Sequence, residues 1–241
     1  MTSVTVEKTV REVVLENPAA TRVFEALGID YCCGGNQSLE RVCRAANLSV
    51  DQVLESLEAA ERASNATPDT RHWQTEPLAD LIAHIKSAHH KYVREEIVRL
   101  APLFDKVCSV HGTNHPELLQ ARATFAGLAQ EMTTHMMKED MMLFPYIVRL
   151  EEAFIEKQPA PPSPFGSVRN PVEMMMRDHE DAGGALRELR ETTNGYTVPS
   201  EACISFQTLY RALAEFEADL HQHIHLENNI LFPRAVEMER G

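Results

Sequence analysis

Two stretches of the chain repeat one phrase. His135 and Glu139 open the first copy, which runs to Leu143-Phe144-Pro145; His223 and Glu227 open the second, which runs to Leu231-Phe232-Pro233. Both read HxxxExxxLFP, offset by 88 residues (135 to 223). Residues four apart lie on one face of a helix, one turn from each other. A single HxxxE is an ordinary surface pair. Two copies in matched register are not, because each also has a histidine upstream at a matched distance: His90 lies 45 residues before His135, and His179 lies 44 before His223. Turned inward together, these residues amount to four imidazoles and two carboxylates. Charges are rarely buried without a partner, and two metal ions supply one. Nitrogen and oxygen donors without thiolate suit iron or manganese better than structural zinc.

The neighbouring residues refine this set. His221, His223 and His225 step about 200° at a time around a helix, so they cannot all face one site; the LFP register selects His223 with Glu227. On the first helix, periodicity favours His89, which shares a face with Ile82, Ile85 and Tyr92, whereas the repeat offset favours His90. Glu131 and Asp219 each precede a ligand histidine by four residues and are candidates to accept its free ring N–H. Gly183, one turn after His179, leaves space for a small ligand such as O2, NO or water, or for close helix packing. The apolar residues around both motifs, among them Met136, Met137, Met141 and Met142, read as core. No histidine has a glutamate three residues before it, so the ferritin-like Glu-x-x-His pattern is absent; the histidine-rich arrangement is similar to the hemerythrin-like fold.

The elements that must position these groups are helices. Four long helical segments, roughly 76–109, 115–156, 171–194 and 200–238, are separated by HGTN, by a segment over 158–170 with four prolines, and by NGYTVP. Strand patterns are almost absent, so the expected class is all-α, with a four-helix bundle over 76–241. Residues 1–63 read as a small domain of three or four short helices. In it Gly28 ends one helix, Ser38 and Ser49 cap others, and Tyr31-Cys32-Cys33-Gly34-Gly35 forms a turn. Residues 64–75 read as a linker. Pro145 and Pro233 are expected to kink their helices. A net charge of −13 argues against nucleic acid and anionic membrane as partners, and no run approaches the ~18 apolar residues of a membrane span. With no signal-like start, no CxxC pair and five cysteines, two of them adjacent, the reading is a cytoplasmic protein. Cys43, Cys108 and Cys203 fall in helical patterns and are expected in the core.

The Tyr31–Gly35 motif, the HMMKE and LFP phrases of the middle and the LENN and LFP phrases near the end together resemble the iron–sulfur cluster repair di-iron proteins, the RIC family, from about Val6 to Arg234. The resemblance implies a hemerythrin-like bundle holding two irons per chain on His90, His135, Glu139, His179, His223 and Glu227. It also implies bridging by the two glutamates and an oxo or hydroxo group. Trp73 and Pro77-Leu78-Ala79 set the register that selects His90 over His89. Oxygen carriers of the fold have a further histidine where Gly183 stands. The implied role is restoring iron–sulfur clusters damaged by oxidative or nitrosative stress, by iron donation or NO handling, as a cytoplasmic homodimer whose partners are proteins with damaged clusters. Cys32 and Cys33 are the implied handlers of iron, NO or cluster fragments, against a purely structural turn. The alternatives are an O2, NO or iron binding or sensing module, and a di-iron NO reductase.

Overall fold

The computed structural model describes residues 4–32, 34–64 and 72–240. Among them every regular element is helical, apart from one isolated bridge between Thr9 and Ser38. The chain divides into two compact units, Met1–Pro77 with His221–Pro233 and Leu78–Leu220 with Arg234–Gly241. Cys33 and most of the expected linker, 65–71, lie outside the described residues.

The first unit holds four short helices, α1 (Val10–Glu16), α2 (Ala20–Leu27), α3 (Leu39–Ala45) and α4 (Val50–Ser64). A seven-residue helix needs its ends satisfied, because end groups are most of its backbone. Thr9 supplies this for α1: its hydroxyl accepts from Glu12 N and its own N–H donates to the Glu12 carboxylate at 2.8 Å, a complete capping box. Ser38 accepts from Arg41 N at the start of α3. Gly28 ends α2 at φ 66°, its N–H turned back on the Phe24 and Glu25 carbonyls. Val10, Val13, Phe24, Tyr31, Leu39, Cys43 and Leu57 form the core, joined by Ile224 of the C-terminal segment.

Gly35 O accepts from Arg11 N of α1 at 2.8 Å, and a Cβ on Gly35 would lie 2.7 Å from the Tyr31 carbonyl oxygen. Backbone on backbone cannot give way cheaply. Gly35→Ala is therefore expected to destabilise the first unit by about 1–3 kcal/mol, read as a lowered midpoint in thermal unfolding.

The second unit supplies the bundle. Its first rod is α5 (Leu78–His84), a π-turn (Ile85–His90) and α6 (Lys91–His111). The second is α7 (Glu117–Lys138), a π-turn (Glu139–Leu143) and α8 (Phe144–Ile155); the third is α9 (Arg169–Thr192). The fourth begins in this unit as α10 (Ile204–Leu226); its residues from His221 on, the π-turn (Glu227–Leu231) and the start of α11 (Phe232–Met238) are counted with the first unit. Leu100, Phe104, Phe125, Met132, Leu186, Phe206, Leu213 and Phe216 fill the space between rods. Phe125 meets Phe104 and Phe216 at centroid distances of 5.3 and 5.5 Å, within the range of favourable aromatic contact. Glu151, buried on α8, accepts from Leu78 N and Ala79 N at 2.6 and 2.8 Å and closes the start of α5. No described helix is long and apolar enough to cross a membrane.

Two expectations about apolar residues fail. Met136 is buried, but Met137, Met141 and Met142 are exposed; inward positions around the π-turn are taken by Met136, Glu139, Leu143 and Phe144, and no inward face remains for the others. Cys203 is exposed, because it lies just ahead of the first residue of α10 rather than on the buried stripe. Its Sγ sits 3.1 Å from His111 Nε2.

Candidate metal centre

The π-turns place the site. Each copy of the repeated phrase has a five-residue π-turn that begins at its glutamate, Glu139–Leu143 and Glu227–Leu231. Each closes with a bond from the following phenylalanine, Phe144 N to Glu139 O and Phe232 N to Glu227 O. Proline comes next. In a regular helix its ring collides with the carbonyl four residues back; a wider turn just ahead of it gives the ring room. π-turns concentrate at functional sites because they re-aim side chains that a regular helix would spread.

The third π-turn, Ile85–His90, sets His90 rather than His89 beside Glu139. A wide turn holds more residues than an α-turn, so the face that starts at Ile82 and Ile85 advances by one position and reaches His90. His89 is also buried, but its Nδ1 bonds Asp219 at 2.9 Å and its ring packs edge-on against His84.

Within the second unit, Glu139 lies between two imidazoles: its Oε2 is 3.4 Å from His90 Nε2 and 3.3 Å from His135 Nε2. His179 Nε2 lies 2.9 Å from His135 Nε2. Within the first unit, His223 Nε2 and Glu227 Oε1 are 3.0 Å apart. All six side chains are 0–1% exposed. The described side chains that could hold a metal ion are His90, His135, Glu139 and His179 of the second unit and His223 and Glu227 of the first, four imidazoles and two carboxylates.

Nδ1–carboxylate bonds aim the rings. Asp178 on α9 takes His135 Nδ1 and Asp140 takes His90 Nδ1, both at 3.2 Å, an arrangement that turns Nε2 toward a metal. Burial raises the Asp140 pKa, but hydrogen bonds from His90 and Arg94 outweigh it and hold the carboxyl at about 2. Asp178 is held below its ordinary value in the same way, burial being outweighed by His135 and Lys138. The carboxylates expected in this role lie elsewhere. Glu131 is exposed, since a residue one turn back is rotated about 40°, enough at the edge of the buried stripe to face water. Asp219 bonds His89 instead. A pocket of about 400 Å³ opens beside His135, lined by Glu131, Lys138, Asp178 and Asp181 among others. Gly183 is buried on α9.

The other histidines of the last rod leave this face. His221 Nδ1 bonds Glu25 Oε1 at 2.8 Å. His225 Nδ1 meets Asn229 Nδ2 at 2.8 Å, and burial, with the Arg11 charge second, lowers its pKa from 6.5 to about 4. The folded state therefore resists protonating His225 while the unfolded state accepts a proton. This contribution to stability is complete above pH 6.5 and is lost as pH falls toward 4, about 3 kcal/mol in all. Urea unfolding at pH 7 and pH 4.5 measures it, and His225→Gln should remove most of the difference.

In the cysteine turn, Cys32 is 5% exposed. Its N–H donates to Asp30 Oδ1 at 3.0 Å and its Sγ lies 3.3 Å from the same oxygen.

Comparison with known proteins places this geometry. Residues 6–61 match a domain of unknown function, DUF542, and residues 81–235 match the hemerythrin HHE cation-binding domain. The chain is 35% identical over 235 residues to the iron-sulfur cluster repair protein YtfE of Pectobacterium atrosepticum, covering 97% of this chain and 98% of the relative. It is 34% identical over 235 residues to the protein of the same name from Pectobacterium carotovorum, with the same coverage. With that from Yersinia pseudotuberculosis it shares 35% identity over 223 residues, 92% of this chain and 93% of the relative. The cluster of histidines and glutamates in the cation-binding domain is thus one that can hold metal.

Proposed function

The chain belongs to the hemerythrin HHE family and, within it, to the iron–sulfur cluster repair proteins, and from that premise we propose that it is a non-haem di-iron protein that restores iron–sulfur clusters damaged by oxidative or nitrosative stress. The observation that carries the reading is Glu139, fully buried, lying between the imidazoles of His90 and His135 through one oxygen, with His179 beside His135, and the same His-to-Glu pair recurring in buried His223 and Glu227. His90, His135, Glu139, His179, His223 and Glu227 would hold the two irons of this proposal. The donors present fit this group: hard carboxylate oxygen and imidazole nitrogen, fully buried, with no thiolate among them.

Bound iron supplies an exchangeable, redox-active Lewis acid. The chain's own residues do the rest. Asp178 and Asp140 hold the Nδ1 protons of His135 and His90, which keeps each Nε2 lone pair directed inward. The pocket beside His135 carries the carboxylates Glu131, Asp178 and Asp181 and so favours passage of a cation over an anion. Cys32 and Cys33 offer thiol groups to the iron, NO or cluster fragment that passes. None of the four described cysteines is in a disulfide, as suits action in a reducing cytoplasm; a homodimer goes with the same reading.

The test is repair itself. An enzyme whose [4Fe–4S] cluster has been damaged by NO is incubated with iron-loaded protein, or with an equal quantity of free ferrous iron, under a thiol reductant. Faster recovery of enzyme activity with the protein is the expected result. Recovery no faster than with free iron contradicts the reading. Nitrous oxide released from the reduced protein and NO would move the function to NO reduction instead.

A further inference from the structure

The cysteine turn and the His223–Glu227 ligand pair belong to the same compact unit, and the residues that join them follow Glu227 directly. Asn229 Nδ2 donates to the Tyr31 carbonyl at 3.3 Å and Asn228 Nδ2 reaches the Cys32 carbonyl at 3.5 Å. Both asparagines are 8% exposed. A buried amide is costly unless its donors are used; Asn229 Nδ2 divides its donors between the Tyr31 carbonyl and His225 Nδ1, and Asn228 Nδ2 reaches the Cys32 carbonyl. The π-turn makes this reach available. Because it holds more residues per turn, adjacent side chains diverge less than on an α-helix, so consecutive residues serve consecutive carbonyls. The carbonyl of Asn229 in turn accepts from Arg11 Nη2 at 3.2 Å.

A second set of contacts holds the same turn from its side-chain end. The Tyr31 hydroxyl and His221 Nδ1 both bond Glu25 Oε1, at 2.9 and 2.8 Å. The Tyr31 ring lies edge-on to His221 and His225 at 6.1 and 5.6 Å. Tyr31 is thereby anchored as a side chain, while the asparagines reach its carbonyl and that of Cys32.

We propose that Asn228 and Asn229 are positioning residues, through which the ligand-bearing π-turn fixes the backbone of the cysteine turn and so holds the Cys32 thiol in a set relation to Glu227. The purpose of this arrangement rests on the repair reading above: a thiol that receives iron or NO must be kept at a constant place beside the segment that releases it. The placement itself does not depend on that reading. Arg11 holds the turn at Gly35 and Asp30 holds it at Cys32 N; the amides add hold on the Tyr31 and Cys32 carbonyls, and their loss is expected to raise local opening at Cys32.

The rate at which N-ethylmaleimide alkylates Cys32 tests the placement. It is measured by mass spectrometry on the full chain carrying Cys33→Ser, so that Cys32 is the remaining thiol of the turn. Asn228→Ala with Asn229→Ala should raise the rate by at least about tenfold while metal content stays equal to that of the parent. Asn229→Asp keeps the size of the side chain and removes its donor; it should also raise the rate, by at least about threefold, which separates a lost amide from lost packing. Rates within twofold of the parent in both variants would overturn the proposal. If the repair reading fails instead, parent and variants alike lack iron, and the alkylation comparison still decides the placement. Should the double alanine variant not fold, Asn228→Ala and Asn229→Asp carry the same comparison singly.

Discussion

Replacing Glu139 and Glu227 together by alanine is expected to abolish metal binding, from two irons per chain to none retained through desalting. The six candidate ligands would be left with four imidazoles and no carboxylate, and the negative charge that offsets the metal would be gone. Loss of groups that merely orient ligands costs about 10–100-fold in metal affinity; losing both carboxylate ligands costs more. Glu139→Ala alone should weaken both positions rather than empty one, because Glu139 faces His90 and His135 through the same oxygen. Far-ultraviolet circular dichroism separates this outcome from misfolding, since the helices are held by the Phe104, Phe125 and Phe216 core, which the substitutions do not touch. A double variant that keeps two irons and the visible spectrum of the parent would show that the ligand set is wrong.

Cys32→Ser with Cys33→Ser is expected to give the opposite pattern: full iron content and a rate of cluster repair reduced by about tenfold or more, as for other groups that take part directly in a chemical step. None of the six proposed ligand side chains is altered. Serine is close to cysteine in size but is a poor ligand and nucleophile at neutral pH, where a thiol forms thiolate far more readily. Iron analysis and the enzyme-recovery assay on the same preparation check both halves. Full repair by the double serine variant would assign the turn to structure alone.

How far the site could be read ahead depends on how local its signals are. The His/Glu pairs were legible because i,i+4 spacing places two side chains on one face whatever the rest of the fold does, and because the phrase occurs twice. The four rods were legible from the breaks between them, and they end within a few residues of the expected positions. The π-turns were not, since the periodicity used to read a helix assumes a constant number of residues per turn. That is why His89 and His90 could not be separated by periodicity, although the proline two residues beyond each Glu139–Leu143 and Glu227–Leu231 turn was a signal of altered winding. Asp178 and Asp140 were missed as partners of His135 and His90 because such contacts cross between rods, and a carboxylate on the ligand's own helix is the only one that spacing can suggest. The role of Asn228 and Asn229 was hidden for the same reason: their partners, the carbonyls of Tyr31 and Cys32, are nearly two hundred residues away in the chain. Thr9 was the opposite case, a local T-x-x-E capping signal in plain view beside Ser38 and Ser49.

The central claim, a pair of irons held on shared carboxylates, is tested most directly by metal analysis and the visible spectrum of protein purified without added metal. The account predicts two irons per chain and near-ultraviolet bands of an oxo-bridged pair, both lost in the Glu139→Ala, Glu227→Ala variant. Protein that carries no iron, or a single zinc ion, would contradict it, and would leave the repeated histidines and glutamates as scaffold.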